Sequence, residues 1–233
     1  MIESVKNEVE KLLGNDDSGH DKDHINRVLA LSLRFAKSEN ADKYITALIA
    51  LLHDVDDYKL FGLENEKNLS NARNIMNICN IDSSIQKKVC EEIRNIGYSK
   101  RLKGLAPTTI EGKIVSDADM CDALGAVSIL RVLKYTTKMN KPFFDKNIFP
   151  IENMTADKYT RKCADTGICH FYEKILLLKD LMLTNSGREE AQERHSFVVK
   201  FLYQYFKEEN AEEWIEYTNK FLKKVKWRSI YEV

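Results

Sequence analysis

Apolar positions recur along most of this chain at helical spacing, and strand-type alternation is hard to find. Residues 24–36 place Ile25, Val28, Leu29, Ser32, Phe35 and Ala36 on one helix face. Residues 41–53 repeat the pattern with Tyr44, Ala47, Leu48, Leu51 and Leu52. Three capping-box patterns mark further helix starts: Ser83 with Gln86, Thr108 with Glu111, and Ser186 with Glu189. Together these features predict helices over 2–13, 20–38, 41–54, 66–80, 83–96, 109–116, 118–136, 155–182, 187–208 and 211–226. The irregular stretches are 14–19, 97–108 (with Pro107) and 137–154 (with Pro142 and Pro150). Nine glycines and three prolines leave long helices unbroken, and none of the loops has the length or composition of a domain linker. An all-α chain forming a single domain over residues 1–233 is expected.

The apolar rhythm is interrupted at three places, each by histidine or aspartate. In "ALIALLHDVDDYKLFG" six apolar residues run straight into His53, Asp54, Asp56 and Asp57. His24, in "HDKDHINRV", is in line with Val28, Leu31 and Phe35 and so belongs to an inward-facing row. In "IVSDADMCDALGA", Asp117, Asp119 and Asp122 break into another apolar segment. A lone histidine on an apolar face is commonly a satisfied core residue, and a histidine at a helix C-terminus suits the helix dipole. An aspartate at that same negative end does not. Burying an unpaired carboxylate costs several kcal/mol, an objection that a bound divalent cation removes. A shared metal is the best explanation of three apolar elements that each deliver His or Asp inward.

Composition narrows the function. Lys plus Arg and Asp plus Glu both total 36, so the net charge is zero, which argues against a general nucleic-acid binder. The first twenty residues are charged throughout and hold no apolar core of signal-peptide length. No apolar run approaches the length of a membrane span. Cys79, Cys90, Cys121, Cys163 and Cys169 are odd in number and lack CxxC spacing, which fits a reduced cytoplasm better than a disulfide framework. A site of two imidazoles and two carboxylates, without thiolate, suits Mn²⁺, Ni²⁺, Co²⁺, Fe²⁺, Zn²⁺ or Mg²⁺, with Mn²⁺ the first choice. Four protein ligands on a six-coordinate ion leave room for water and a substrate oxygen, the equipment of a phosphate-ester or anhydride hydrolase.

His24 in "HINRV", then His53-Asp54, then Asp119 in "DADM" resemble the H…HD…D signature of the HD-domain metal-dependent phosphohydrolases. "GHDKDHINRV", "ALLHDVDDYK", "EGKIVSDADMCDALGA" and "HFYEKILLLKDLM…ER" are similar, in that order, to one HD subgroup. That subgroup contains nucleoside triphosphate pyrophosphohydrolases. The resemblance runs from about residue 19 to residue 210. It implies an HD-type helical bundle with a core signature over 20–135 and C-terminal helices 155–226 packed on it.

By the same resemblance His24, His53, Asp54 and Asp119 match the metal ligands. Asp119 is preferred over Asp117 because the family ligand follows the alanine of an "AD" pair. Two residues apart on a helix, the two carboxylates point about 200° away from each other, so both reach one ion only if the helix breaks. Asp57 falls where related enzymes place a catalytic acid, and it is expected to orient or deprotonate the attacking water. No histidine lies between Asp54 and Asp119, which favours a single cation over the multi-metal sites of some relatives.

For phosphate, Lys59 is the first expected contact, and Arg27, one turn from His24, is expected to hold either a phosphate or a site carboxylate. The basic run Lys100, Arg101 and Lys103 reads equally as a cover for polyphosphate or as a solvated loop. His20, one turn before His24, is a candidate pocket residue. His170 and Lys174 are candidates for the substrate side of the cavity, by the subgroup resemblance. His195 reads as structural, and Asp56 has no assigned task.

The expected activity is metal-dependent hydrolysis of a small phosphorylated substrate, with nucleotide pyrophosphohydrolysis preferred. The alternatives are a nucleoside monophosphate phosphatase, a non-catalytic nucleotide-sensing module, or a lyase using the same cation. His24→Ala or Asp119→Ala is expected to lose bound metal while the chain stays folded. Replacing a leucine of 48–52 with alanine is expected to cost about 3 kcal/mol of stability. Metal analysis and urea unfolding check the two outcomes, and full metal occupancy in the His24 variant would contradict the assignment.

Overall fold

Every side chain from Thr46 to Leu52 is buried, and five of them, Leu48 to Leu52, have no exposed surface at all. The structure, a computed structural model, describes residues 1–13, 22–151 and 164–231. Its helices are Ile2–Leu13 (α1), Lys22–Ser38 (α2), Lys43–Leu52 (α3), Tyr58–Phe61 (α4), Leu63–Asn68 (α5), Ser70–Ile78 (α6), Ser83–Ile93 (α7), Tyr98–Leu102 (α8), Ile110–Asp122 (α9) and Ala126–Lys138 (α10). Gly167–Glu173 (α11), a 3₁₀ segment at Ile175–Leu181, Asn185–Glu208 (α12) and Glu212–Tyr231 (α13) follow. No strand occurs among the described residues, so the protein is all-α. None of their helices is long and apolar enough to cross a membrane. By its contacts the chain divides into two compact units, Met1–Asp122 with Leu183–Gly187, and Ala123–Met182 with Arg188–Val233.

The first unit is built around α3. Asp42 caps it, its carboxylate accepting from the amides of Tyr44 and Ile45 at 2.8 and 3.1 Å. A helix apolar on all sides needs neighbours on all sides, and α1, α2, α7 and α9 supply them. The start of α9 is fixed by Glu92 of α7, whose buried carboxylate accepts from the Thr108 amide and hydroxyl at 2.9 and 2.8 Å. Gly112 is required there, because a Cβ would lie 2.1 Å from Glu92 Oε2.

Several boundaries differ from the sequence pattern. The helix expected over 66–80 is two helices, because Leu69 adopts a left-handed conformation (φ 52°, ψ 49°) between α5 and α6. Such a conformation is costly for a leucine, and the Asp56 carboxylate supplies compensation. Leu69 offers no side-chain cap to α6. Asp56, from the turn after α3, accepts instead from the amides of Asn71 and Ala72 at 2.8 and 2.9 Å. The Asn71 side chain donates back to the Val55 carbonyl at 2.7 Å. Asp56 is therefore a distant N-cap that ties the turn at 53–57 to α6. Burial pushes its carboxyl above the ordinary range, against the two amide bonds.

The break expected near Asp117 falls at 123–125 instead, so α9 runs unbroken through Asp117 and Asp119. α12 begins at Asn185, with the Gly187 amide donating to Thr184 Oγ1 at 3.0 Å, rather than at the Ser186 capping box. The stretch 97–108 contains α8, and Lys100 there pairs with Glu66 at 2.9 Å. The expected helix over 155–182 is α11 and the 3₁₀ segment where it can be followed; 152–163 lie outside the described residues.

In the second unit the fully buried Trp214, Tyr172 and Phe206 form an aromatic core, with Phe149 stacked on Trp214 at 4.6 Å between centroids. His195 is buried on α12, and its Nε2 has no hydrogen-bond partner among the described residues. Burial, reinforced by the Lys179 charge and partly opposed by Asp180, pulls its pKa down to about 4.

Asp56→Ala is expected to lower stability by about 2 kcal/mol, since two buried amides lose their acceptor. Urea unfolding measures the loss, and faster hydrogen exchange at Asn71 and Ala72 locates it. His195 sets a pH dependence with a definite sign. The unfolded chain binds its proton near pH 6.5 and the folded chain only near 4, so its contribution is present above 6.5 and lost as pH falls through 4. Between those limits His195→Gln is expected to show a flatter decline in stability than the unchanged protein.

Candidate metal centre

Three elements of the first unit bring their polar residues to one place. α2 contributes His24, from the buried row that includes Val28, Leu31 and Phe35. The C-terminus of α3 contributes His53 and, in the turn that follows, Asp54. α9 contributes Asp119. His24 Nε2 lies 3.3 Å from Asp54 Oδ2 and 3.5 Å from Asp119 Oδ1. His53 Nε2 lies 3.5 and 3.9 Å from the same two oxygens. Donor atoms held about 2.1 Å from a single ion stand roughly 3–4 Å from each other, so these spacings suit one small cation.

The hydrogen bonding supports that fit. His53 Nδ1 meets the Ala50 carbonyl at 2.8 Å, which turns Nε2 toward the carboxylates. That Nε2 is buried and has no hydrogen-bond partner among the described residues. An imidazole nitrogen without a partner, facing two carboxylates, is what a cation site requires of a neutral histidine. His24, His53 and Asp119 place one ligand atom each within 4.8 Å of one another, a group that could hold a metal ion. Burial alone would lower the His24 pKa. Hydrogen bonds to Asp122 and Asp54, with the Asp54 and Asp119 charges, outweigh it and raise the pKa to about 9.

The other carboxylates of α9 separate by helical position. Asp117 points away from the cluster and accepts from the amides of Leu183 and Thr184 at 2.9 and 2.8 Å. Its oxygen approaches Gly187 so closely that a Cβ there would lie 2.2 Å from it. Asp122, one turn after Asp119, reaches His24 from the other side, Oδ2 to Nδ1 at 2.7 Å. Arg27, one turn after His24, grips Asp122 through Nε at 2.6 Å and Nη2 at 3.0 Å. Arg27 thus holds a site carboxylate, one of the two partners expected for it. Sequence reasoning assigned no task to Asp122 or Asp56. The signal for Asp122 was its i+3 spacing from Asp119; Asp56 had no local signal.

The remaining expected site residues are placed as follows. Asp57 is half-buried, its amide donating to the Asp54 carbonyl at 3.1 Å. Lys59 is on α4, with its side chain outside those described, and His20 lies outside the described residues. His170 and Lys174 belong to the second unit, one turn apart, with the Lys174 amide donating to the His170 carbonyl at 3.1 Å.

The chain belongs to the HD-domain family, whose profile matches residues 22–124, the span that carries the whole cluster. It is a metal-dependent phosphohydrolase of the HD superfamily. The Bacillus subtilis protein YpgQ is 30% identical over 205 residues, covering 88% of this chain and 91% of its own. The crystal structure of YpgQ with ADP matches at a TM-score of 0.66 and 28% identity, covering 89% of this chain and 94% of that one. An HD-superfamily hydrolase from Bacillus thuringiensis matches at 0.70 and 33% identity, and a Lactobacillus plantarum protein at 0.78 and 32%. Both cover 90% of this chain and 97% of their own.

Proposed function

We propose that this protein hydrolyses nucleoside triphosphates to the monophosphate and pyrophosphate, with one Mn²⁺ held by His24, His53, Asp54 and Asp119. The observation that carries the reading is the convergence of two imidazole Nε2 atoms on two carboxylates, one of those nitrogens buried without a hydrogen-bond partner among the described residues. The binding of ADP by the related YpgQ supports a nucleotide as ligand. When bound, the cation supplies Lewis-acid polarisation of a phosphoryl oxygen and acidification of water.

Asp57 takes the proton of the attacking water, acting as general base from the turn just after Asp54. The new P–O bond forms at the α-phosphorus, the α–β anhydride bond breaks and pyrophosphate leaves; Lys59 is the cation proposed to meet its phosphate charge. A carboxylate three residues after Asp54 and outside the proposed ligand set suits this task, because its lone pairs are not committed to the metal. Among the described residues Cys79, Cys90 and Cys169 are free thiols, which supports the cytoplasm as the setting.

Incubation of the purified protein with Mn²⁺ and a nucleotide panel is expected to release pyrophosphate from triphosphates. Asp57→Asn is expected to lower the rate about a hundredfold with Mn²⁺ still bound. Orthophosphate from monophosphates alone would establish a nucleotidase instead. Tight nucleotide binding without turnover under any of the candidate cations would establish a sensor.

A further inference from the structure

The two histidines of the cluster are held by acceptors of different kinds. His53 Nδ1 is held by a neutral backbone carbonyl, that of Ala50. His24 Nδ1 is held by a carboxylate, that of Asp122, at 2.7 Å. Asp122 is almost wholly buried, and both its oxygens are engaged: Oδ2 with His24 Nδ1 and Arg27 Nη2, Oδ1 with Arg27 Nε. The arrangement is built from matched helical spacings. α2 presents His24 and Arg27 one turn apart, α9 presents Asp119 and Asp122 one turn apart, and the two helices pack together. Asp119 thus addresses one ring nitrogen of His24 and Asp122 the other.

We infer that Asp122, oriented by the guanidinium fork of Arg27, is a positioning residue that fixes the Nδ1–H tautomer of His24 and so presents its Nε2 lone pair to the cation. The inference rests on the metal centre proposed above. A carboxylate behind a ligating imidazole orients the ring and makes it a stronger donor than a carbonyl does. Arg27 has a reason to be arginine rather than lysine, because its planar fork holds both carboxylate oxygens at once. A carboxylate buried this deeply without such a partner would be costly. Arg27 therefore serves the site through Asp122.

The test compares the unchanged protein with Asp122→Asn, Arg27→Met and the double variant, measuring Mn²⁺ and Zn²⁺ affinity by chelator competition. Asp122→Asn is expected to weaken binding by about tenfold to a hundredfold. Arg27→Met is expected to weaken it less, and the double variant no more than Asp122→Asn alone. In the Zn²⁺-loaded protein, imidazole nitrogen NMR is expected to show a slowly exchanging His24 Nδ1–H that both single variants shift. A purely structural role would leave that signal in place.

Unchanged affinity in Asp122→Asn overturns the inference while leaving the metal centre standing. Additive losses in the double variant overturn the action of Arg27 through Asp122. Should Asp122→Asn not fold, Arg27→Met decides, and undiminished affinity with an unshifted signal is then the overturning result. An unchanged protein that binds neither cation overturns the metal centre itself, and the inference with it.

Discussion

The structure depends on the burial of α3 and on the way the chain leaves it. From Thr46 to Leu52 this helix meets protein on every side, so its C-terminus opens inside the molecule. The last carbonyls of a helix lack intrahelical partners, and here one of them, that of Ala50, is used to orient His53. The same end then delivers Asp54, whose carboxylate stands between the two imidazoles. A rigid apolar helix thus does two things at once: it closes the core, and it fixes the depth and direction of a histidine and an aspartate.

Around that helix the carboxylates take distinct tasks that their residue type does not reveal. Asp54 and Asp119 face the imidazole Nε2 atoms, and Asp122 faces the opposite ring nitrogen of His24. Asp56, Asp117 and Glu92 accept backbone amides instead, each fixing the start of a helix: α6, α12 and α9 respectively. These three anchors hold the segments on either side of the cluster, so the precision of the site derives from groups that never touch it. Burial makes such bonds effective, since an amide withdrawn from water has no other acceptor. Membership of the HD family gives this division of labour a chemical meaning, because phosphoryl transfer by water is served mainly by fixed charge and fixed position.

Helical periodicity, the apolar run of 47–52 and the polar interruptions at His24, His53-Asp54 and Asp119 are local properties, and they were legible in the chain itself. The all-α fold follows from them, and so does the inward placement of His24, on the buried row of α2, and of His53, at the buried end of α3. The 200° separation of Asp117 and Asp119 was equally local, and the unbroken α9 leaves them on opposite sides. The tasks of Asp56 and Asp122 were not legible. Asp56 acts on amides fifteen and sixteen residues away and Asp122 on a ring 98 residues away. The left-handed Leu69 belongs with them, since it persists where a distant carboxylate caps the helix that its own side chain cannot. A pattern of apolar spacing records which face of a helix turns inward. Which donor waits there is settled only when remote segments pack, because a hydrogen bond is decided by atoms within about 3 Å and not by neighbours in sequence.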